Sequence, residues 1–231
     1  MIKEVINKLN SELPATVKLV AVSKFHPFEA IEEAYQAGQR IFAESRPQEL
    51  LAKVRRLEEI RGERGESDYM SDIEWHFIGH LQTNKLKMVL PYVSLIHSID
   101  SERLLSSVNA WGEVNGRTIN VLLEPHVAAE ETKHGFSRDL IADILGDAGK
   151  YGRICFKGIM GMATFTDDMD VVRSDFAAIR SIFDECRTGF PSLSGSFTEL
   201  SIGMSDDYPV AIEYGSTMVR IGSMIFGARQ Y

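Results

Sequence analysis

Lys24 is the first residue of this 231-residue chain whose type and position suggest chemistry. It directly follows the apolar run VKLVAVS, which is typical of a β-strand, and it precedes Pro27, which favours a helix start. A lysine partly removed from water has a lowered pKa, so a fraction of its amine is neutral and can attack an aldehyde. Its position alone would favour an exposed lysine at a strand end.

Two small-residue segments near the end of the sequence suggest an anion site. They read SIGMSD at residues 201–206 and RIGSMIFG at residues 220–227. Small residues let backbone N–H groups approach an anion, Ser201, Ser205 and Ser223 have hydroxyl donors, and Arg220 has a rigid cationic fork. Either segment alone could be a tight turn, but together they favour phosphate. A phosphorylated aldehyde, either pyridoxal 5'-phosphate (PLP) or a sugar phosphate, would satisfy Lys24 and this segment pair at once. Neither segment has a nucleotide-binding glycine pattern.

Strand-like and helix-like segments alternate along the whole chain and would position these residues. The predicted strands are residues 17–23, 40–42, 75–78, 94–99, 119–123, 156–162, 199–202 and 218–221. The predicted helices between them are residues 28–37, 47–61, 84–90, 102–111, 138–151, 171–187 and 209–214.

The alternation predicts an α/β fold, a single (β/α)8 TIM barrel. We expect one domain over residues 1–231. A doubly wound open sheet is the alternative fold. Several strands are continuous apolar runs, which is typical of parallel strands covered on both faces. In such a barrel the site lies at the carboxyl ends of the strands, and phosphate binds after strands 7 and 8. Lys24 and both small-residue segments fall at those ends.

Composition excludes several classes of function. The formal charge of −8 argues against nucleic-acid binding, which requires a basic face. Residues 1–13 form an amphipathic helix pattern, not a signal or an anchor, and no apolar run approaches the roughly 20 residues of a membrane span. We therefore expect a cytoplasmic protein. Cys155 and Cys186 have no disulfide or zinc spacing and are predicted to be small buried hydrophobes.

Two further patterns could be mistaken for active-site groups. His76 and His80 are four residues apart, but the spacing straddles a strand end and Gly79, so we predict no metal site. The aspartate pairs at residues 167–168 and 206–207 precede predicted helices and are predicted to cap them.

Seven segments, in order, resemble the pyridoxal phosphate homeostasis protein family (YggS/PROSC family), whose fold is similar to the barrel domain of alanine racemase. They are LVAVSK (19–24), FAESRPQE (42–49), WHFIG (75–79), LQTNK (81–85), KGIMGM (157–162), LSIGMSDD (200–207) and GSTMVRIGSMIFG (215–227). The resemblance covers nearly the whole chain.

The resemblance implies a role for each candidate residue. Lys24 would carry PLP as a Schiff base, and Arg220 would face the pyridine nitrogen. A guanidinium keeps its proton, so the ring would stay neutral and be a weaker electron sink. The residues implied to hold the phosphate are Ser205, Gly222 and Ser223, with Ser201 nearby.

Two segments depart from the family pattern. The family usually has Phe-Gly-Glu-Asn where this chain has Phe-Ala-Glu-Ser at residues 42–45, and Glu124-Pro-His126 replaces commoner small polar residues. The following residues 131–135 keep the family pattern. Contacts on these sides of the pocket are therefore expected to differ at Ala43, Ser45 and Glu124.

Alanine racemase uses two bases, one of them a tyrosine from an additional domain of the partner subunit. This chain ends at Tyr231, just past the predicted eighth strand, so we expect no such domain and no second base. We therefore predict a monomeric PLP carrier, without catalytic residues, that sequesters the cofactor and supplies it to apo-enzymes that use PLP. The alternatives are a low-activity PLP-dependent amino-acid racemase or lyase, and a Schiff-base aldolase acting on a sugar phosphate.

Overall fold

Eight parallel strands close into one barrel in sequence order, with the last strand pairing with the first. The structure, a computed structural model, describes residues 1–127 and 135–227. The strands are β1 (Lys18–Val22), β2 (Ile41–Glu44), β3 (Glu74–Phe77), β4 (Val93–Ile99), β5 (Ile119–Leu123), β6 (Ile154–Met160), β7 (Glu199–Ser201) and β8 (Met218–Ile221). The predicted (β/α)8 barrel is confirmed, and the doubly wound sheet was wrong.

Helices follow the strands and cover the outside of the barrel. They are α1 (Ile2–Glu12), α2 (Phe28–Gln36), α3 (Pro47–Arg64), α4 (Leu86–Val89), α5 (Glu102–Asn115), α6 (Arg138–Gly146), α7 (Met169–Gly189), α8 (Tyr208–Glu213) and α9 (Ser223–Phe226). Their buried faces and the outward residues of the strands form one large apolar cluster. Within the described ranges, no helix is long and apolar enough to cross a membrane.

Helix caps explain several boundaries. The Ser101 hydroxyl accepts from Leu104 N–H at the start of α5, and Gly116, at φ 64°, ends it in the left-handed conformation that glycine tolerates. The Asp168 carboxylate accepts from Asp170 N–H at the start of α7, as predicted for the first aspartate pair. The sequence is therefore locally consistent with the helices it forms.

The barrel interior has an apolar layer and a polar chain. Successive side chains of a strand point to opposite faces, so every second residue points inward. The apolar inward cluster consists of Val20, Val22, Ala43, Leu95, Leu122, Met160 and Met218. Arg220 and His97 come two residues after Met218 and Leu95 and are also buried, so polar groups occupy the same interior.

Candidate functional site

A cavity of about 340 Å³ opens at the carboxyl ends of the strands, within the size range of small-molecule sites. Five of the six predicted site residues line it: Lys24, Ser205, Arg220, Gly222 and Ser223. Its apolar wall is formed by Val22, Ile78, Met160, Met162, Phe165 and Met204. The fold therefore gathers residues from both ends of the sequence around one space.

Lys24 extends the inward row that Val20 and Val22 begin on β1, and it is half-buried. The backbone on either side of it is fixed. The Ser23 carbonyl accepts from Lys53 Nζ at 2.7 Å, and Phe25 N–H donates to Glu49 Oε2 at 2.8 Å. Phe25 has φ 68°, an uncommon left-handed conformation for a residue with a side chain, so the chain turns sharply after the lysine.

A buried ion pair supports this turn from the layer between barrel and helices. Glu44 on β2 is fully buried, and its Oε1 accepts from Lys53 Nζ at 2.5 Å and from the Ser23 hydroxyl at 2.6 Å. Burial raises the pKa of the Glu44 carboxyl, while Lys53 acts in the opposite direction. Glu44 Oε2 is the one buried side-chain nitrogen or oxygen in residues 1–127 and 135–227 without a hydrogen-bond partner. Sequence reasoning missed this pair.

Arg220 is buried on β8, with its guanidinium held by three hydrogen bonds. Nη1 donates to the Ser201 carbonyl at 2.7 Å and the Ser201 hydroxyl at 2.8 Å, and Nη2 donates to the Gly161 carbonyl at 3.0 Å. A guanidinium has five N–H groups, so donors remain for the cavity. Burial lowers the pKa of Arg220 to about 10, although Asp207 and Glu124 act to raise it, so the group is charged at neutral pH.

Ser201 does not line the cavity. It is fully buried beneath Arg220, and its hydroxyl also lies 3.0 Å from His97 Nδ1. His97 Nε2 is in turn 2.9 Å from His76 Nδ1. Burial lowers the pKa of His76 to about 3 and that of His97 well below its usual value, so both imidazoles are uncharged. Ser201, which was predicted to lie near the phosphate, therefore contacts Arg220 instead.

The glycine and serines after β7 and β8 line the same cavity as the apolar wall. A Cβ at Gly222 would lie 3.1 Å from the Val22 carbonyl oxygen, so close packing against β1 favours glycine there. Gly203, at φ 96°, turns the chain from β7 toward Ser205. After Gly222, the N–H groups of Ile225 and Phe226 in α9 both donate to the Gly222 carbonyl at 2.9 Å, so the chain turns back on itself directly after the glycine.

A second cavity of about 420 Å³ adjoins the first and shares part of its apolar wall. His80, Asp100 and Glu124 line it, and His80 Nδ1 lies 2.8 Å from Asp100 Oδ2. Burial, and then the charge of Asp100, raises the pKa of Glu124 to about 7. His76 and His80, which were considered as a metal pair, are directed to different partners.

The departures from the family pattern lie away from the first cavity. Glu124 lines the second cavity, while Ala43 lies in the apolar interior cluster. Neither Ala43 nor Ser45 is among the described residues that line the first cavity. Most of the segment 131–135 falls outside the described residues.

The second aspartate pair does not cap its helix through a side chain. The Asp207 carboxylate accepts from Met204 N–H at 2.5 Å and makes no side-chain cap to α8, so that part of the capping prediction was wrong.

Besides the Glu44–Lys53 pair, sequence reasoning missed two inward-facing polar groups of the barrel. No role was predicted for His97, and His76 was considered only as half of a metal pair, yet both join Ser201 in one chain of hydrogen bonds. The available signal was the two-residue period, which places His97 on the same face as the buried Leu95.

Comparisons with known proteins match nearly the whole chain. The profile of the family "Alanine racemase, N-terminal domain" matches residues 1–230. The pyridoxal phosphate homeostasis protein of Pasteurella multocida is 34% identical over 217 residues, which are 94% of this chain and 88% of that protein. The protein of that name from Schizosaccharomyces pombe is 35% identical over 215 residues, 92% of this chain and 84% of that one.

Solved structures show the same fold. PipY of Synechococcus elongatus PCC7942, with PLP bound, has a TM-score of 0.86 and 33% identity, covering 98% of this chain and 100% of that one. Alanine racemase of Clostridium difficile 630 has a TM-score of 0.72 over all of this chain and 57% of that one, at 12% identity, so it supports the fold alone.

The chain belongs to the class of the alanine racemase N-terminal domain, whose profile covers the whole barrel. Within that class, the chain belongs to the pyridoxal phosphate homeostasis protein family.

PLP is the cofactor that this family implies, and the described residues fit it. One cavity holds an amine, a guanidinium, serine hydroxyls and a glycine at a close backbone approach, beside an apolar wall that could cover an aromatic ring. A phosphate, a pyridine ring and an aldehyde each find a chemically matched group there.

Proposed function

We propose that this protein binds PLP reversibly, as a Schiff base on Lys24, and acts as a PLP carrier in the cytoplasm. Ser205, Gly222 and Ser223 would hold the phosphate, and Arg220 would face the pyridine nitrogen. The observation that supports this assignment most directly is that Lys24 and the residues after β7 and β8 line one cavity. The PLP-bound structure of PipY, from the same family, supports the choice of cofactor.

The carrier role rests on what the described residues offer the cofactor. Arg220 remains charged and is anchored by three hydrogen bonds, so it can donate to a ring nitrogen without transferring a proton. PLP supplies an electron-withdrawing aldehyde and ring when it is bound. Because Arg220 would leave the ring nitrogen unprotonated, the ring would withdraw electrons less strongly. We further propose that the protein is a monomer that gives PLP to apo-enzymes.

Reduction with borohydride followed by peptide mass spectrometry tests the attachment. We expect the mass of one reduced cofactor on the peptide that contains Lys24, and none in Lys24→Ala. Lys87→Ala is the matched control, since it removes an exposed lysine of α4 that does not line the cavity. Label on another lysine, or full PLP retention by Lys24→Ala through dialysis, would refute the Schiff base.

A deletion strain tests the carrier role. We expect disturbed pools of B6 vitamers and amino acids, restored by the wild-type chain and by Lys87→Ala but not by Lys24→Ala. Normal pools in the deletion strain would contradict this part of the proposal and leave the chemical attachment untouched.

A second candidate function is a low-activity PLP-dependent racemase or lyase, and one observation favours it. Glu124, whose pKa is raised to about 7, lines the adjoining cavity and could exchange protons near neutral pH. Incorporation of deuterium at Cα of L- and D-alanine in D₂O tests this function against free PLP as the background. Incorporation above that background, lost in Glu124→Gln, would support the enzyme and count against the pure carrier.

A further inference from the structure

Four buried polar side chains, those of Arg220, Ser201, His97 and His76, form a continuous chain of hydrogen bonds across the barrel interior, from β8 to β3. We call this chain the relay. Arg220 Nη1 is 2.8 Å from Ser201 Oγ, Ser201 Oγ is 3.0 Å from His97 Nδ1, and His97 Nε2 is 2.9 Å from His76 Nδ1. All four residues are at most 4% exposed, so water does not compete for these bonds. Only Arg220 among them lines the cofactor cavity.

The donor and acceptor types favour one direction for this chain. Arginine has only donors, so Ser201 Oγ accepts from Arg220, and His97 Nδ1 is the neighbouring acceptor for the hydrogen of the hydroxyl. An uncharged imidazole carries one N–H, so in this arrangement His97 carries it on Nε2 and donates to His76 Nδ1. Each link thereby orients the next.

Burial is the main reason that both imidazoles of the relay are neutral, and nearby cations act in the same direction. Burial and also the charge of Arg220 lower the pKa of His97, while burial and then Lys18, near the opposite end of the barrel, lower the pKa of His76. Lys18 is itself paired with Glu199 at 2.5 Å. A cationic His97 would repel Arg220 in a region of low dielectric.

We propose that His97 is a positioning residue: through the Ser201 hydroxyl it fixes the guanidinium of Arg220 that faces the cofactor cavity, with His76 as its support. This inference rests on the proposed binding of PLP in that cavity. It assigns a function to two residues that touch neither the cavity nor the cofactor.

The first test uses the wild-type protein without cofactor and is independent of PLP binding. NMR of histidine labelled with ¹⁵N reports the tautomer and charge of each imidazole. We expect His97 to be neutral, with its hydrogen on Nε2, from pH 8 to pH 5. An imidazolium in this range, or a hydrogen on Nδ1, would overturn the direction of the relay and the proposal with it.

The second test uses PLP-loaded variants and asks whether His97 acts through Ser201. We expect His97→Leu and Ser201→Ala each to speed PLP dissociation about three- to tenfold, as expected for one lost hydrogen bond, and the double variant to do no more than either single change. We also expect the pH midpoint of the cofactor's visible absorbance to move by about half to one pH unit.

His97→Asn and Ile144→Ala complete the comparison. Asparagine can keep a polar contact with Ser201, so it should recover most of the wild-type midpoint, and it provides a milder variant if His97→Leu does not fold. Ile144→Ala creates a cavity in the outer apolar cluster, on α6 and outside the barrel interior, so its midpoint should be that of the wild type. Additive effects of His97→Leu and Ser201→Ala, or an equal midpoint shift in Ile144→Ala, would overturn the proposal. Wild-type protein that binds no PLP would refute the proposed function instead.

Discussion

Lys53→Met would remove one partner of the buried ion pair behind Lys24. Lys53 Nζ donates to Glu44 Oε1 at 2.5 Å and to the Ser23 carbonyl at 2.7 Å. The change leaves the Glu44 carboxylate, which is fully buried, with only the Ser23 hydroxyl as a donor. Breaking one side of such a pair typically costs about 3–5 kcal/mol. In a chain of this size that corresponds to a fall in Tm of roughly 6–20 °C.

The pH dependence identifies the uncompensated charge as the cause. The pKa of Glu44 in the fold already lies above its ordinary value of 4.5, and loss of the Lys53 charge raises it further. A carboxyl with a raised pKa costs no stability below its unfolded pKa, and the cost grows as pH rises to the folded value. We therefore expect Lys53→Met to be far less destabilising at pH 4.5 than at pH 8.

Urea unfolding of the PLP-free protein, followed by the fluorescence of the buried Trp75, measures these differences. Arg138→Met is the matched control, because the Arg138–Glu185 pair is about half exposed and should be worth less than about 1 kcal/mol. The double change Lys53→Met with Glu44→Leu should recover most of the loss, since it removes both charges. A cost below about 1 kcal/mol for Lys53→Met at pH 8 would show that the pair is not desolvated, and the reasoning would fail.

Three further predictions concern the second cavity, the phosphate side and a helix start. Because the pKa of Glu124 is raised from 4.5 to about 7, ionisation of this carboxyl costs stability as the pH rises between those two values. Glu124→Gln should therefore raise the free energy of unfolding at pH 8 by up to about 3 kcal/mol. A flatter plot of Tm against pH would show this effect. Gly222→Ala places a Cβ 3.1 Å from the Val22 carbonyl oxygen, so it should weaken PLP retention on dialysis by about 1–3 kcal/mol, whereas Gly189→Ala, where a Cβ meets no atom within 4 Å, should leave retention unchanged. Asp168→Ala removes the cap to Asp170 N–H and should cost about 1 kcal/mol in urea unfolding without changing PLP binding.

The strands could be predicted because each is a short apolar run with clear boundaries. All eight lie within two residues of their predicted limits. Two helices were less regular than predicted. The predicted helix at residues 138–151 ends at Gly146, where glycine weakens the helix, and continues as a 3₁₀ turn, Ala148–Lys150. The segment 84–90 is similarly divided between a 3₁₀ turn and α4.

The cavity residues could be predicted because the fold fixes where strand ends meet. Once eight strands form a closed barrel, Lys24 after β1 and Gly222 after β8 must be neighbours, since those strands pair. The supporting contacts could not be predicted in the same way. His97 and Ser201 are 104 residues apart, and their hydrogen bond depends on side-chain reach inside the closed barrel, which no local pattern encodes.

The supports of Lys24 and Arg220 act from opposite sides of the sheet, and this separation has a functional consequence. Glu44 and Lys53 hold the backbone beside Lys24 from the helix-facing side, whereas the relay from His97 holds Arg220 from inside the barrel. Each set is buried and shares no residue with the other, so damage to one should leave the other in place. Lys53→Met should therefore alter the attachment of PLP without moving the spectral midpoint that His97 controls.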